Sequence, residues 1–329
     1  MTGSEKRDED ETATETMDSE DPNDGEQYHL EVSPGDVASS VLLPGNPERV
    51  DKVVESWDDP HAGQHAARTV AERAPDDPAA WAALSVALAD LAAHDLGVPC
   101  YRQWGLDPDA VPQTSYTVGI DEPERMAERA ERAIADGFEI LKVKVGTDDD
   151  CARIRAVREA APEATIRVDA NCAWDPDEAI EQAQWLAEMD IEFFEQPVPG
   201  DDIDGLARVQ DATALPICAD ESCVSASDVA RVADACDLVT VKLTKCGGVR
   251  PSVEQIHAAH AHGLEVMLGC MLESNASIAP ACHLAPLVEY ADLDGALLLA
   301  EDPYEGVPIA DGRFDLRAVD RGTGVSRPG

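Results

Sequence analysis

The sequence predicts an α/β fold, a TIM-like parallel (β/α)7β barrel, and three observations carry that prediction. From Ser115 onward, short β-branched and aliphatic runs alternate with segments of helical period. The ends of eight such runs, Val118, Lys144, Asp169, Glu195, Asp220, Lys242, Gly269 and Asp292, lie 22 to 27 residues apart, which suits one strand, one helix and two short loops. No G-x-G-x-x-G turn follows an early strand, as a doubly wound nucleotide-binding sheet would usually show. Eight strands with helices between them fit a closed barrel better than an open sheet.

Taken in order, residues 1–26 hold eleven acids and no apolar periodicity, which predicts a disordered acidic tail. Residues 27–58 read as a loop, a short strand at Val41–Leu43, a Gly-Asn-Pro turn and an amphipathic helix. Residues 59–112 are alanine-rich and helical, with Trp81, Leu84, Leu88 and Leu91 spaced for one buried face and Gly97 and Pro99 as the stop. The barrel takes residues 113–295. It runs through SYTVGI with a helix from Glu122, EILKVKVG with a helix from Cys151, and TIRVDAN with a helix from Asp175. IEFFEQPV, LPICADES, LVTVKLTKCGG, LEVMLGCMLES and a last strand near Tyr290 to Leu293 follow. Residues 296–329 form a C-terminal segment.

Composition bounds the function. The 67 acidic residues against 25 basic ones give a net charge of −42, which argues against nucleic acid or an anionic membrane as partner. No apolar run approaches the ~20 residues of a membrane helix, and the N-terminus lacks the apolar stretch of a signal peptide. A soluble cytoplasmic protein is expected. The nine cysteines are odd in number, scattered and never in a C-x-x-C spacing, which suits reduced thiols in a core. Only six of the 25 basic residues are lysines. This acid-rich, lysine-poor balance reads as adaptation to high salt, so the positions that keep lysine become informative. Four of the six, Lys142, Lys144, Lys242 and Lys245, fall in two tight clusters.

Side chains alternate across a strand, so Lys142 and Lys144 share one face while Leu141, Val143 and Val145 take the other. In a barrel the apolar face meets the helices and the lysines point inward. The same alternation turns Asp169, Glu195 and Asp220 inward at the ends of three successive strands. Three converging carboxylates repel one another unless a cation sits among them, and oxygen-only ligands suit Mg²⁺. Lys242 lies about opposite the Lys142 and Lys144 strand. A lysine with its pKa lowered by a neighbouring cation can serve as a base. Two such lysines across a bound carboxylate could take an α-proton from one face and return it on the other, which is racemisation or epimerisation.

These residues resemble the muconate-lactonizing subgroup of the enolase superfamily, whose members use a lysine or histidine base with Mg²⁺, and more closely its dipeptide epimerases of the L-Ala-D/L-Glu epimerase type. The resemblance runs from about residue 60 to the C-terminus. It rests on K-x-K at Lys142 and Lys144, D-x-N at Asp169 and Asn171, E-Q-P from Glu195 to Pro197, D-E-S from Asp220 to Ser222, and K-x-x-K-x-G-G from Lys242 to Gly248. It implies one Mg²⁺ per subunit on Asp169, Glu195 and Asp220, with Lys144 and Lys242 as the two bases and Lys142 assisting at the substrate carboxylate. Asn171, Glu221 and Lys245 would support them from behind. The implied reaction is 1,1-proton transfer, through an enediolate, at the α-carbon of a dipeptide's C-terminal residue.

The run G-C-M-L-E-S, Gly269 to Ser274, resembles the seventh-strand motif of these epimerases and implies Cys270, Met271 and Glu273 at the substrate. Asp292 and Asp294 resemble the pair that holds a dipeptide's free ammonium group, and two carboxylates there select a substrate with a positive end. The alternatives are an o-succinylbenzoate synthase or N-succinylamino-acid racemase, whose substrates give that pair no ammonium, and a metal-binding but inactive fusion product. The implied partner is a small-molecule dipeptide, with self-association into a homo-oligomer as the family's habit.

Members of the subgroup begin with a β-meander that folds over the barrel mouth. Residues 28–54 instead resemble the start of a nucleoside phosphorylase of the uridine phosphorylase type, through PGDVA, VLLPG and the spacing of Gly45, Pro47 and Arg49. This implies a fusion, in which the barrel carries a partial, N-terminally replaced α+β capping domain. Residues 59–112 would be its helical remnant and 296–329 the segment returning to it. Such a chain is expected to keep its metal site, while its efficient turnover depends on what now serves as the lid, because lids exclude water and complete specificity. The helices at 65–96 and the tail after Pro303 would need new cover for their apolar faces.

Overall fold

The computed structural model describes residues 77–327. The expected acidic tail at 1–26, the phosphorylase-like segment at 27–58 and the first part of the helical remnant lie outside the described residues.

Eight parallel strands form one sheet in the order of the chain: β1 (Tyr116–Val118), β2 (Ile140–Lys144), β3 (Thr165–Asp169), β4 (Ile191–Glu195), β5 (Ile217–Ala219), β6 (Leu238–Val241), β7 (Glu265–Gly269) and β8 (Tyr290–Asp292). The sheet closes on itself just ahead of β1, where Thr114 bridges Ala291 in parallel and Ser115 N donates to Ala291 O at 3.1 Å. Leu293 N donates to Thr114 Oγ1 at 2.7 Å on the same seam. The (β/α)7β barrel read from the sequence is therefore present. Six of the eight strands end on the expected residue. Asp220 and Lys242 stand one residue beyond β5 and β6.

Helices fill the intervals: α3 (Pro123–Ala135), α4 (Asp150–Ala160), α5 (Pro176–Ala187), α6 (Ile203–Ala212), α7 (Ala226–Val232), α9 (Val249–Ala261) and α10 (Asn275–Cys282), with the one-turn α8 (Leu243–Cys246) between β6 and α9. Two helices precede the barrel, α1 (Pro78–Leu96) and α2 (Cys100–Gln103). Local signals explain the starts. Asp175 caps α5 with its carboxylate on the Asp177 and Glu178 amides, and Glu178 returns the bond, while Pro176 supplies a preset first turn.

The main core lies between the outward faces of the strands and the helices, with Leu141, Val143, Ile166, Val168, Val239, Val241, Val266 and Leu268 all wholly buried. The barrel interior is layered. Its lower half is apolar and closed by Phe193, Cys218, Leu238 and Met267, with Tyr290 packed against them. Arg167 plugs that floor, its guanidinium 5.1 Å from the Phe193 ring centre and 5.2 Å from that of Tyr290, with Nε on Glu192 at 2.7 Å. A bulge in β4 places both Glu192 and Phe193 against the single Arg167, since Ile166 pairs Ile191 while Val168 pairs Phe194. The upper half is charged, so the chemistry sits at the carboxyl ends of the strands. All nine cysteines are free and none is exposed, in keeping with core thiols.

Helix α1 departs from expectation in two ways. Its buried stripe is Ala82, Ala83, Val86, Ala87, Leu88, Ala89, Ala92 and Ala93, whereas Trp81, Leu84 and Leu91 are only half-buried. The helix lies close upon the Gly247-Gly248 turn after α8, where small Ser85 and Ala82 meet Gly248. A Cβ on Gly248, whose φ is +115°, would stand 2.4 Å from Ser85 Cβ, and Val249 N donates to Ser85 Oγ at 3.1 Å. The same alanine content makes α1 long and apolar enough, at mean hydropathy 1.2, to cross a membrane by length and composition, a run that the sequence reading does not count. Here α1 packs against α8, α9 and α10.

The C-terminal segment also finds partners. Cys100 N donates to Gly322 O at 2.8 Å, and Gly322 N to Val98 O at 3.0 Å. Thr323 donates from N and Oγ1 to Asp90 Oδ1 on α1 at 2.6 and 2.8 Å. A short antiparallel pair, β9 (Ile309–Ala310) and β10 (Arg313–Phe314), returns to the seam through Thr114 N on Gly312 O at 2.8 Å. The tail after Pro303 is thus fastened to α1, α2 and the barrel seam.

His283 locks this joint. It is wholly buried, accepts at Nδ1 from Tyr101 N at 3.1 Å, and lies 3.1 Å from Thr323 O at Nε2, so these partners assign the proton to Nε2. Tyr101 stacks on the ring and Trp104 meets it edge-on. Burial pushes its pKa down from 6.5 to about 4. The folded state therefore keeps the ring neutral where the unfolded chain protonates it. The resulting stability is full above pH about 6.5 and is lost as pH falls toward 4, a change of about 3 kcal/mol. Urea unfolding from pH 7.5 to 4.5 should show His283→Asn with a shallower acid loss than the parent by that order. Identical pH slopes would reject the assignment.

Candidate active site

The inward face of β2 brings Lys142 into the centre of the charged layer. Its Nζ lies 3.0 Å from Asp169 Oδ2, 2.8 Å from Glu195 Oε2 and 2.8 Å from Asp292 Oδ2, with the side chain 2% exposed. One ammonium thus joins β3, β4 and β8. Lys144, one pleat further, donates to Asp169 Oδ2 at 2.6 Å and Asn171 Oδ1 at 2.8 Å. Across the barrel, Lys242 donates to Asp220 Oδ2 at 2.8 Å, and Lys245, one turn later on α8, donates to Asp220 Oδ1 at 2.9 Å.

The three carboxylates read as metal ligands are all completely buried. Register places Asp169 beside Glu195, and Glu195 beside Cys218, two residues ahead of Asp220. Each carboxylate feels a different balance. Burial works against ionisation of Asp169, but Lys142 and Lys144 outweigh it and hold its pKa below the usual range. Asp220 is likewise opposed by burial yet brought down to about 2 by Lys242 and Lys245. Glu195 goes the other way, to about 7, through burial and the Asp169 charge. On the lysine side burial again opposes the charge, and Asp169 for Lys142 and Asp220 for Lys242 raise both above the ordinary value. The ammonium groups of Lys142 and Lys242 each sit directly on these carboxylates.

The donor set fits a divalent cation on charge and chemistry. Six carboxylates, Asp169, Glu195, Asp220, Glu221, Asp292 and Asp294, face only four ammonium groups, those of Lys142, Lys144, Lys242 and Lys245. The excess of two negative charges matches one divalent ion. Two buried oxygens lack aligned donors: Glu195 Oε2 meets Lys142 as an ion pair without hydrogen-bond geometry, and Glu221 Oε2 has no partner. As the side chains stand, no three carboxylates among the described residues already surround one point, and each of Asp169, Glu195 and Asp220 has at least one oxygen turned to a lysine. Asp169, Glu195 and Asp220 are the residues that could hold the ion, all through hard oxygen donors.

Asp292 and Asp294 sit on the β8–β1 seam. Asp292 accepts from Ser115 Oγ at 2.6 Å as well as from Lys142, and Asp294 accepts from Thr117 N at 2.5 Å. Burial and the Asp292 charge raise Asp294 to about 7. Met271 reaches the cluster, its Sδ 3.8 Å from Lys242 Nζ. Cys270 lies beside Gly295, whose added Cβ would be 3.1 Å from the sulfur. Glu273 turns away from the charged layer. It accepts from Met271 N at 2.8 Å and Thr244 Oγ1 at 3.2 Å and also from Ser277, so it shapes the loop rather than facing the lysines. Asn171 bridges Lys144 to Glu221 Oε1, the latter at 3.3 Å.

Two residues escaped the sequence reading. Gln196 is wholly buried with a left-handed φ of +36° and satisfies its whole amide: Oε1 accepts from Asp220 N and Ser222 N at 2.9 and 3.1 Å, and Nε2 donates to Val198 O and Ser222 Oγ at 2.8 Å each. It ties the loop after Glu195 to the loop carrying Asp220, and its place inside E-Q-P was the available signal. Thr240 donates from Oγ1 to Glu195 Oε1 at 3.2 Å. Alternation marked it, since it lies two residues before Lys242 and faces the same way.

Comparison with known proteins places the chain among relatives of the same fold. The family described as "Enolase C-terminal domain-like" matches residues 125–326. An L-Ala-D/L-amino acid epimerase of a Maribacter species is 42% identical over 242 residues, covering 72% of this chain and 71% of that protein. The L-Ala-D/L-Glu epimerase of Bacteroides thetaiotaomicron is 38% identical over 275 residues, covering 83% and 71%. Among solved structures, a dipeptide epimerase from Methylococcus capsulatus, complexed with Mg and L-Arg-D-Lys, superposes with a TM-score of 0.75 at 37% identity, covering 85% of this chain and 82% of that one. One from Enterococcus faecalis, complexed with Mg and L-Leu-L-Tyr, gives 0.74 at 34% identity, covering 86% and 78%. With a family match over more than half its length and relatives this similar, the chain belongs to the enolase C-terminal domain-like family.

Proposed function

We propose that this protein is a Mg²⁺-dependent dipeptide epimerase that inverts the α-carbon of the C-terminal residue. The observation that carries the reading is the placement of Lys144 and Lys242 on β2 and β6, opposite strands of the barrel, each bonded to a different member of a buried carboxylate triad. The Mg-bound dipeptide epimerases among its structural relatives support it.

Asp169, Glu195 and Asp220 would hold Mg²⁺, which when bound would supply positive charge to stabilise a substrate carboxylate next to the C–H bond. The rest is done by side chains. One lysine enters as the neutral amine and takes the α-proton, so that a C–H bond breaks and an N–H bond forms. The other enters as ammonium and delivers its proton to the opposite face, so that an N–H bond breaks and a C–H bond forms with inverted configuration. Lys142 stays charged beside the substrate carboxylate. Asp292 and Asp294 take the free ammonium end, with Cys270 and Met271 along the substrate and Glu273 holding their loop.

The deciding experiment is α-proton exchange in D₂O, followed by NMR with Mg²⁺ in high salt, against L,L-dipeptides including Ala-Glu and against N-succinylamino acids. Exchange with inversion at the C-terminal residue of a dipeptide is expected. Exchange confined to the succinylated compounds would replace this reading with an N-succinylamino-acid racemase. No exchange from a folded, Mg²⁺-binding protein would leave the inactive fusion.

Lys144→Ala and Lys242→Ala should each stop inversion, by about 10²–10⁴-fold, while the remaining lysine can still wash out the proton it faces. Full epimerisation by either variant would sink the two-base scheme. Lys142→Met removes the shared partner of Asp169, Glu195 and Asp292 and should destabilise the metal-free protein by about 3–5 kcal/mol. Urea titrations with and without Mg²⁺ should then give the variant a larger gain from metal than the parent. Equal gains would mean Lys142 does not offset the carboxylate excess.

A further inference from the structure

We propose that Gly269 is a positioning residue for Lys242: its missing side chain is the slot through which the lysine stem reaches the site. This inference rests on the epimerase reading above. Gly269 ends β7 and pairs with Asp292, whose side chain faces the barrel interior, while the preceding Leu268 faces the outer core. Any side chain at 269 would therefore enter the charged layer. Glycine within a strand costs stability, and it persists where something approaches closely. Its backbone is not among the positive-φ glycines, so conformation does not demand it.

Space does. A Cβ on Gly269 would lie 2.8 Å from Thr240 Cγ2, 3.1 Å from Lys242 Cε and 3.4 Å from Lys242 Cγ, and these are its three nearest heavy atoms. Thr240 has little freedom to retreat. It is buried and β-branched, and its hydroxyl is engaged with Glu195 Oε1 and with Cys218 Sγ, each at 3.2 Å. Lys242 is the long, flexible neighbour, tethered only at its tip to Asp220 and close to Met271 Sδ. A methyl at 269 must therefore push the Lys242 stem aside and carry its amine off line. Lys144 reaches the substrate from β2, on the far side of the barrel. The disturbance should then strike one face of the reaction and spare the other.

The test is Gly269→Ala, assayed for α-proton exchange in D₂O with each epimer of one dipeptide supplied separately. Lys242→Ala run in parallel identifies the epimer that depends on Lys242. Exchange of that epimer should fall about 10²-fold, the scale of an ångström-sized misplacement, while exchange of the other stays within about twofold. Mg²⁺ affinity by calorimetry should match the parent. Adding Thr240→Ser removes the methyl at 2.8 Å, keeps the hydroxyl, and should return much of the lost exchange; the double variant also serves if the single one folds poorly. Equal slowing of both epimers, or no slowing, overturns the slot. If the parent protein exchanges neither epimer, it is the epimerase reading that fails, and the slot is judged from lysine ¹³Cε NMR of the metal-free protein. The Lys242 resonance, identified by its loss in Lys242→Ala, should move in Gly269→Ala while that of Lys144 stays, and an unmoved Lys242 resonance refutes the inference.

Discussion

A charge taken out of water must find a partner, and the mouth of this barrel buries at least eight. An isolated ammonium or carboxylate in such a place would neutralise rather than remain charged. Lys142 is where that constraint is met most densely, with one Nζ holding Asp169, Glu195 and Asp292 from three strands within 3.0 Å. The arrangement is stable only as a whole. Removing the ammonium strands three carboxylates, and removing one carboxylate shifts the balance on the others. The remaining misfit is equally informative: Glu195 and Asp294, each raised to about 7 by burial and a neighbouring carboxylate, carry the excess negative charge. A divalent cation offsets what four lysines cannot.

Such a layer has to be built on a rigid frame, and the frame is polar only where it must be. Beneath it the barrel is filled by Phe193, Leu238 and Met267, with Arg167 sealed between aromatic faces. Around it, loops are tied to one another by side chains with every hydrogen-bonding group engaged, Gln196 between the loops after β4 and β5 and Glu273 between those after β6 and β7. Backbone strain collects at the same place. Asn171, Cys172 and Gln196 all hold positive φ just past the buried carboxylates of Asp169 and Glu195, a cost of order 1–3 kcal/mol each that surrounding packing must sustain.

Much of this was legible in the sequence because a parallel barrel imposes two strict periods. The residue spacing of 22 to 27 fixed the strand ends to within one residue, and alternation by two turned Lys142, Lys144, Asp169 and Glu195 inward. What stayed hidden depends on distance rather than period. No pattern in the sequence says that Ser85 and Ala82 meet Gly248, because that follows from how near α1 comes to α8. Nor does a pattern say that Glu273 spends its oxygens on Met271 N and Thr244, or that Asp220 holds Lys242 at 2.8 Å, since both follow from contacts made only in the folded chain.

The scarcity of lysine has a physical reading in this light. Of six lysines, four meet inside the barrel, while nineteen of the 25 basic residues are arginine. Arginine serves well at surfaces and in planar pairs, as Arg167 does with Glu192. In the proposed two-base scheme it cannot take Lys144's or Lys242's place, because a guanidinium stays protonated at any accessible pH and cannot act as a base. It also cannot take Lys142's place, because three carboxylate oxygens converge on one point, which a compact ammonium can occupy and a flat fork cannot. At Lys142, Lys144 and Lys242, then, the proposed reading calls for a titratable or point-like cation. The two clusters are therefore where the proposed chemistry would concentrate.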